Sequence, residues 1–178
     1  MERGDKAIIE IRSQDNKDRW ITILDLKLGD LKEIDHQHDA AWIGGPGISG
    51  WNQSQGALGW LENDKSIWYQ SEETDYSHLY KKSISKLKKT ALTTGSYEVR
   101  NVQLSIDGIN FYLTLNKKHP GNRGFYHLNY KTKVLTPILE NDGNYKVKIS
   151  PDEKDIAFLY STMNLSLIHI SEPTRRRG

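Results

Sequence analysis

Residues 150–161 read SPDEKDIAFLYS, a tight turn that leads into an alternating apolar segment, and two other blocks repeat this pattern. They are NDKSIWYQS at residues 63–71 and IDGINFY at residues 106–112. The turn aspartates, Asp64, Asp107 and Asp152, are separated by 43 and 45 residues. A turn followed by a strand, repeated about every 40–50 residues, is typical of stacked four-stranded blades. The repeat therefore predicts a run of similar modules rather than one closed catalytic core.

The rest of the chain also alternates short apolar segments with turn residues, and it favours almost no helix. We predict strands at residues 6–11, 20–26, 56–61, 66–71, 77–83, 99–104, 109–115, 124–130, 134–138, 145–149 and 155–161. Residues 36–55 are expected to form a loop and residues 83–94 a turn, and the first module would begin at Gly4-Asp5-Lys6 with that loop as its insertion. The fold class that follows is all-β, a partial β-propeller of about three four-stranded antiparallel blades plus the start of another.

The C-terminal segment differs from the repeats. Residues 165–175 read LSLIHISEPTR, which resembles the in-frame translation of a transposase-type sequencing adapter. We therefore expect two regions: a partial propeller domain over residues 1–164, and a non-native, disordered tail over residues 165–178. On this interpretation the natural protein continues past Asn164. The alternative is a genuine amphipathic segment that ends in a basic tail.

The charge balance excludes several classes of partner. Of 25 basic and 23 acidic residues, three arginines and one glutamate lie in residues 165–178, which leaves 22 of each sign. A net charge of zero gives no electrostatic case for nucleic acid or for an anionic membrane. The chain contains no run of about 18 apolar residues, so the sequence predicts no membrane-spanning helix. The chain has no cysteine, so disulfides and thiolate zinc sites are excluded.

Several ordered blocks resemble one known family. Residues 71–80, SEETDYSHLY, resemble the "SExxGYxHLY" block of the dipeptidyl peptidase IV N-terminal propeller, and residues 92–99, LTTGSYEV, resemble its "LTxGxWEV". Residues 116–121 and 125–128 are similar to a later stretch of that family, and residues 12–20 and 38–43 look like the preceding blade of its bacterial members. The resemblance covers residues 4–163. Asp75 stands where glycine is usual and Tyr97 replaces tryptophan.

The resemblance implies a parent serine peptidase of the prolyl oligopeptidase group. In that group the propeller caps an α/β-hydrolase domain and filters peptide substrates, and the catalytic serine, aspartate and histidine lie C-terminal to it. The partners implied are therefore the missing hydrolase domain and the peptide substrates of the parent, and a second copy of the parent in a homodimer. Exported bacterial relatives suggest the periplasm or cell envelope as the compartment of the parent. For the fragment itself we predict no compartment.

The residues offer no convincing nucleophile. A nucleophile elbow needs Gly-x-Ser-x-Gly, because small residues permit the strained turn around the serine. The nearest approach is GISGW at residues 47–51, in which Ser49 is followed by Gly50 and tryptophan takes the last position. No catalytic triad can be assembled from the sequence, so we predict that the chain is not catalytic by itself.

Other candidate groups have structural interpretations that we prefer. Glu72 and Glu73 could bind a substrate amine, but they fall in a blade turn. The pair His36 and His38, together with Asp39, could bind zinc, but no third, distant ligand is evident. We expect His78 to be partly buried and to bond a neighbouring turn. Four tryptophans could stack on carbohydrate, but we expect them to pack in the core and between blades: Trp42, Trp51, Trp60 and Trp68. The sequence therefore predicts no catalytic, cofactor-binding or metal-binding residue, and no cofactor.

Two functional hypotheses remain open. The first is a piece of the substrate-gating propeller of a dipeptidyl-peptidase-IV-like serine exopeptidase. The second is a stand-alone propeller that binds a protein or a glycan. Repeats of the SPD type occur in both classes, and the blocks at residues 71–80 and 92–99 favour the first.

Overall fold

The computed structural model describes residues 4–48 and 57–164, together with the backbone of residues 168–173. In these ranges the chain forms fourteen β-strands and no helix. It divides into two compact units, residues 1–94 and 95–178, and each unit contains two antiparallel sheets. The all-β class predicted from the short apolar segments is confirmed.

Unit 1 contains a three-stranded and a four-stranded sheet. The first sheet has the order β1-β2-β3 and is built from β1 (Lys6–Arg12), β2 (Asp18–Asp25) and β3 (Leu31–His38). The second sheet has the order β4-β5-β6-β7 and is built from β4 (Leu58–Leu61), β5 (Ser66–Ser71), β6 (His78–Ser83) and β7 (Lys89–Ala91).

Strand β3 corrects the sequence analysis, which placed a loop from His36 onward. Its sequence, LKEIDHQH, lacks the apolar alternation that marks a strand. Besides Ile34, the buried positions of β3 are the polar residues Asp35 and Gln37. A strand whose inward face is polar gives no hydrophobic period, so its partners across the sheet decide its conformation.

Unit 2 follows the predicted pattern to within one or two residues. Its first sheet, the third of the chain, has the order β11-β10-β9-β8 and is built from β8 (Val99–Leu104), β9 (Asn110–Leu115), β10 (Gly124–Asn129) and β11 (Val134–Leu139). The fourth sheet has the order β12-β13-β14 and is built from β12 (Asn144–Ile149), β13 (Asp155–Ser161) and β14 (Ile168–Pro173).

Strand β14 differs from the expectation of a disordered tail. It pairs antiparallel with β13, from Tyr160 opposite Ile168 to Asp155 opposite Pro173. The segment that contains it is rich in β-branched and alternating residues, and it runs beside an edge of β13 whose backbone groups need partners. The adapter origin of residues 165–178 stays a prediction.

Three of the four sheets share one hairpin turn. In each, the backbone of a serine pairs with the residue five positions later, and the serine hydroxyl accepts the N–H of that residue at 2.9–3.0 Å. The serines are Ser13, Ser105 and Ser150. The residue three positions after each serine has a positive φ of 59°, 66° or 56°. A left-handed residue at this place lets the chain reverse within a short loop.

The shared turn revises the start of the first module. Asp107 accepts the N–H of Ile109 at 2.8 Å, and Asp152 accepts the Ser150 hydroxyl at 2.7 Å, so both aspartates hold turns as predicted. The equivalent residue of the first sheet is Asp15, two positions after Ser13, and not Asp5. Asp64 has a φ of 65° and lies in a different turn, where Glu62 and Asn63 are also left-handed.

Each unit has its own hydrophobic core. In unit 1 the core is shared by residues of both sheets, which are Ile21, Ile23, Ile34, Ile67, Tyr69 and Tyr80. In unit 2 the core likewise combines β10 with β12 and β13, through Phe125, Tyr145, Ile156 and Phe158. Because neither sheet of a pair buries its apolar face alone, the sheet pair is the smallest unit with a core.

We expect the isolated chain to self-associate, or to melt without a cooperative transition. Strands β3, β7 and β11 are sheet edges with no neighbour on their outer side among the described residues. Unpaired strand edges recruit other chains. Analytical ultracentrifugation over a concentration series and circular dichroism on heating test this expectation. A monomer with a sharp, reversible unfolding transition would contradict it.

Candidate functional site

The main concentration of buried charge lies between the two sheets of unit 1. We call it the charge cluster and define it by five residues, one from each of five strands: Glu10, Arg19, Asp35, Lys82 and Lys89. The sequence analysis did not single out any of them. No local spacing identifies such a cluster, because its members are up to 79 positions apart, from Glu10 to Lys89, and meet only when the two sheets pack.

Arg19 is the centre of one half of the charge cluster. Its side chain is 0% exposed, and its guanidinium donates to Glu10 Oε2 at 3.1 Å and to the backbone carbonyl of Gln70 at 2.7 Å. It also donates to the amide oxygen of Gln37 at 3.3 Å. Burial lowers the pKa of Arg19, and the charge and hydrogen bond of Glu10 oppose that shift. The guanidinium stays charged and ties β2 to both β1 and β5.

Asp35 is the centre of the other half. Its side chain is 4% exposed and contacts Lys82 Nζ at 2.8 Å and Lys89 Nζ at 3.5 Å, while Gln37 donates to it at 3.0 Å. Burial by itself raises the pKa of Asp35, but the hydrogen bond from Lys82, the charge of Lys89 and the Gln37 amide outweigh burial and hold the pKa below its usual value. Asp35 is therefore ionised and compensated.

Two tyrosines cover the lysine side of the charge cluster. Lys89 Nζ lies 5.4 Å from the ring centroid of Tyr69 and 4.8 Å from that of Tyr80, within the range of cation–π attraction. Burial, followed by the charge of Asp35, raises the pKa of Tyr69 strongly. A tyrosine held neutral and a fully paired carboxylate are poor proton-transfer groups at neutral pH. The arrangement is suited to joining sheets.

The predicted histidine pair does lie on one face of β3. His36 Nε2 is 2.7 Å and His38 Nδ1 is 2.8 Å from the same oxygen, Asp18 Oδ1, and His36 stacks on Trp20 with ring centroids 5.0 Å apart. The hydrogen bonds from His36 and then His38 lower the pKa of Asp18. Asp18 belongs to the neighbouring strand and is opposite His38. Among residues 4–48 and 57–164, no group of three His, Cys, Asp or Glu has an arrangement suited to a metal ion.

The glutamate pair does not converge on one point. Glu72 accepts the backbone N–H of Gly44 at 3.0 Å, whereas Glu73 pairs with Lys89 at 2.5 Å. Each carboxylate thus stabilises a loop or a strand edge of unit 1. Asp75, the residue that replaces the usual glycine, has a φ of 69°, so it adopts the left-handed conformation that its position requires.

The remaining candidates have separate surroundings. His78 is 2% exposed, more deeply buried than expected, and its Nδ1 lies 3.0 Å from Thr93 Oγ1. Trp68 is buried and Trp60 packs against the core of unit 1, whereas Trp42 is 66% exposed. Ser49, Gly50 and Trp51 lie outside the described residues.

No helix in the part of the chain that the structure describes is long and apolar enough to cross a membrane.

The chain resembles a known family in sequence. It matches the family described as "Dipeptidyl peptidase IV (DPP IV) N-terminal region" over residues 2–167. It is 30% identical over 103 residues to the probable dipeptidyl peptidase 4 of Trichophyton verrucosum, an alignment that covers 50% of this chain and 14% of that protein. It is 29% identical over 106 residues to the probable dipeptidyl peptidase 4 of Aspergillus fumigatus, which covers 51% and 14%. The chain therefore spans only a small part of these relatives.

Solved structures give the same fold. Dipeptidyl peptidase 4 of Porphyromonas gingivalis superposes with a TM-score of 0.77 at 17% identity, over 96% of this chain and 23% of that one. TolB of Acinetobacter baumannii gives a TM-score of 0.62 at 18% identity, over 97% and 41%. At these identities the likeness concerns the fold alone, and it confirms the predicted class of a partial all-β propeller.

We expect Lys82→Met to loosen unit 1 far more than Lys81→Met. Both lysines lie on β6 and have an ion pair, at 2.8 Å for Lys82 and 2.7 Å for Lys81. Lys82 faces the buried Asp35, whereas the partner of Lys81, Glu62, is 35% exposed. Leaving a buried charge uncompensated costs about 3–5 kcal/mol, and an exposed pair contributes about 0–1 kcal/mol. Because Lys89 still compensates Asp35 in part, amide hydrogen exchange in β3 and β6 should accelerate about thirtyfold in Lys82→Met.

The matched variant Lys81→Met should accelerate the same amides by less than about fivefold. Equal effects of the two substitutions would show that the charge cluster does not stabilise unit 1.

The stability difference between wild type and Lys82→Met should depend on pH. The pKa of Asp35 is lowered by folding, so its stabilising contribution is fully present above the unfolded value of about 3.9 and is lost as the pH falls through the lowered folded value. We therefore expect the ratio of the amide exchange rates of Lys82→Met and wild type, measured at the same pH, to narrow below about pH 4. A ratio of exchange rates that stays constant down to about pH 2 would assign the effect of Lys82 to packing of its alkyl chain.

Proposed function

Because the chain belongs to the family of the dipeptidyl peptidase IV N-terminal region, we propose that it is a piece of the substrate-gating propeller of a dipeptidyl-peptidase-IV-like serine exopeptidase. Bond cleavage is then the work of an α/β-hydrolase domain elsewhere in the parent protein. The observation that carries the proposal is the family match over residues 2–167.

Local geometry at the matched blocks supports this proposal. Asp75 takes the left-handed φ of the glycine that usually stands in the first block. In the second block, Gly95 has a φ of 133°, and a Cβ placed on it would lie 2.8 Å from the Tyr97 ring. Tyr97 is buried, as an aromatic residue in the place of tryptophan requires. Asp75 and Tyr97, which depart from the family pattern, are therefore compatible with the local backbone conformation of that pattern.

The role we propose for these residues is to form a rigid wall. A gate that admits short peptides and rejects folded chains needs walls that do not open, and the charge cluster locks the two sheets of unit 1 together. Asp35 of the charge cluster is ionised and engaged in that linkage, and Tyr69, which covers the cluster, is neutral. We assign to this chain no catalytic, cofactor-binding or metal-binding residue. Peptide substrates, a homodimeric parent and a periplasmic or envelope location belong to the same proposal.

The alternative is a stand-alone propeller that binds a protein or a glycan. The likeness to TolB is one of fold only, and the exposed Trp42 is separate from the buried Trp68. No arrangement of described residues favours this alternative over the first hypothesis.

The reading frame of the source gene tests the proposal. We expect the codons after Asn164 to encode further propeller repeats and then an α/β-hydrolase domain with a Gly-x-Ser-x-Gly elbow. A stop codon soon after further repeats would overturn the proposal and favour the stand-alone module.

As a companion measurement, this chain should not hydrolyse dipeptidyl or aminoacyl substrates. Activity that survives purification and is lost in Ser49→Ala would place a nucleophile in the chain itself.

A further inference from the structure

Unit 2 has a groove of about 440 Å³ at one end of its two sheets. Three basic side chains line it, and each lies at the beginning of a different strand that runs in the same direction. Arg100 is the second residue of β8, Arg123 immediately precedes β10, and Lys146 is the third residue of β12.

The backbone around the groove is held firmly. The N–H of Arg123 donates to the carbonyl of Gly143 at 2.9 Å, and the N–H of Tyr145 donates to the carbonyl of Arg123 at 3.0 Å. The side chain of Asn122 accepts the N–H of Gly143 at 3.2 Å. These bonds join the third and fourth sheets beside the groove, and they fix the backbone from which the side chain of Arg123 extends.

The three basic groups have no acidic counterpart among the described residues. None of the described residues that line the groove is an aspartate or a glutamate. Among the described residues, no ion pair involves Arg100, Arg123 or Lys146, and the Nε of Arg100 is buried without a hydrogen-bond partner. Asp142, two residues before β12, is paired with Lys118 at 3.2 Å. Three like charges along one groove repel one another, and an anion bound between them removes that repulsion.

The other lining residues indicate the kind of anion. Pro120 and Leu159 contribute apolar surface. A guanidinium presents a planar pair of donors that matches a carboxylate. We propose that this groove is a binding site for an organic carboxylate with a small apolar body. The proposal goes beyond the peptidase assignment and does not depend on it.

Isothermal titration calorimetry of the full chain at low ionic strength tests the proposal. The probes are N-acetyl-leucine, its amide N-acetyl-leucinamide, and inorganic phosphate. We expect the acid to bind and the amide, which has the same apolar body and no charge, to bind at least about tenfold more weakly. Phosphate should bind more weakly than the acid, because it makes no use of the apolar surface.

Substitutions locate the site. Arg123→Gln removes an exposed side chain, so folding should be preserved, and the affinity for N-acetyl-leucine should fall about tenfold. Arg100→Gln should have a similar effect. The control is Lys148→Gln, which removes the same charge from an exposed position two residues beyond Lys146 on β12, outside the groove. It should change the affinity by less than about twofold.

Several results would overturn the proposal. They are an absence of binding by the acid at millimolar concentration, equal binding of acid and amide, phosphate binding as tight as that of the acid, or an equal loss of affinity in Lys148→Gln and Arg123→Gln. Circular dichroism of Arg123→Gln identical to that of wild type assigns its loss of affinity to the groove rather than to misfolding.

Discussion

A buried guanidinium holds the first unit of this chain together. Arg19 is fully buried on β2, and its own sheet supplies only part of what the charge needs, through Glu10 and Gln37. The carbonyl of Gln70 in the next sheet supplies a further acceptor, and the Nε of Arg19 is buried without a hydrogen-bond partner. Burying a charge without partners costs several kcal/mol of desolvation free energy. The first sheet is therefore stable only when it is packed against the second. Asp35 on the first sheet and Lys82 on the second repeat this dependence with the opposite sign of charge on the first sheet.

The second unit follows the same rule with a carboxylate. Glu153 lies in the turn that begins at Ser150, is buried, and has a φ of 56°. Its carboxylate accepts the backbone N–H of Ile106 at 2.8 Å and the hydroxyl of Tyr112 at 3.4 Å, both from the neighbouring sheet. A left-handed residue that closes a hairpin is thereby also the link to the sheet before it. Turn geometry and the connection between sheets are thus combined at one position.

What the sequence could predict depends on where the information lies. The strands of unit 2 are recognisable because apolar residues alternate along them, as in β9, where Phe111, Leu113 and Leu115 are fully buried. Strand β3 was missed because its inward residues are Asp35 and Gln37. An aspartate followed by lysine or glycine predicts a module start at Asp5, whereas the three related turns share a serine two positions before the aspartate or the residue in its place. Asp18, the partner of both histidines, is found only once the register of β2 against β3 is known.

The distance in sequence between Arg19 and Gln70 has a consequence for synthesis of the protein. The two residues are separated by 51 positions, and Asp35 and Lys82 by 47. Ribosomes add about 5–20 residues per second, so Arg19 in the nascent first sheet waits about 3–10 s before Gln70 emerges. During that interval its hairpin can close through the local bonds of Ser13, but its apolar face stays uncovered. The nascent chain is therefore a natural client for chaperones at this stage, and a slow codon between residues 38 and 70 would prolong its exposure.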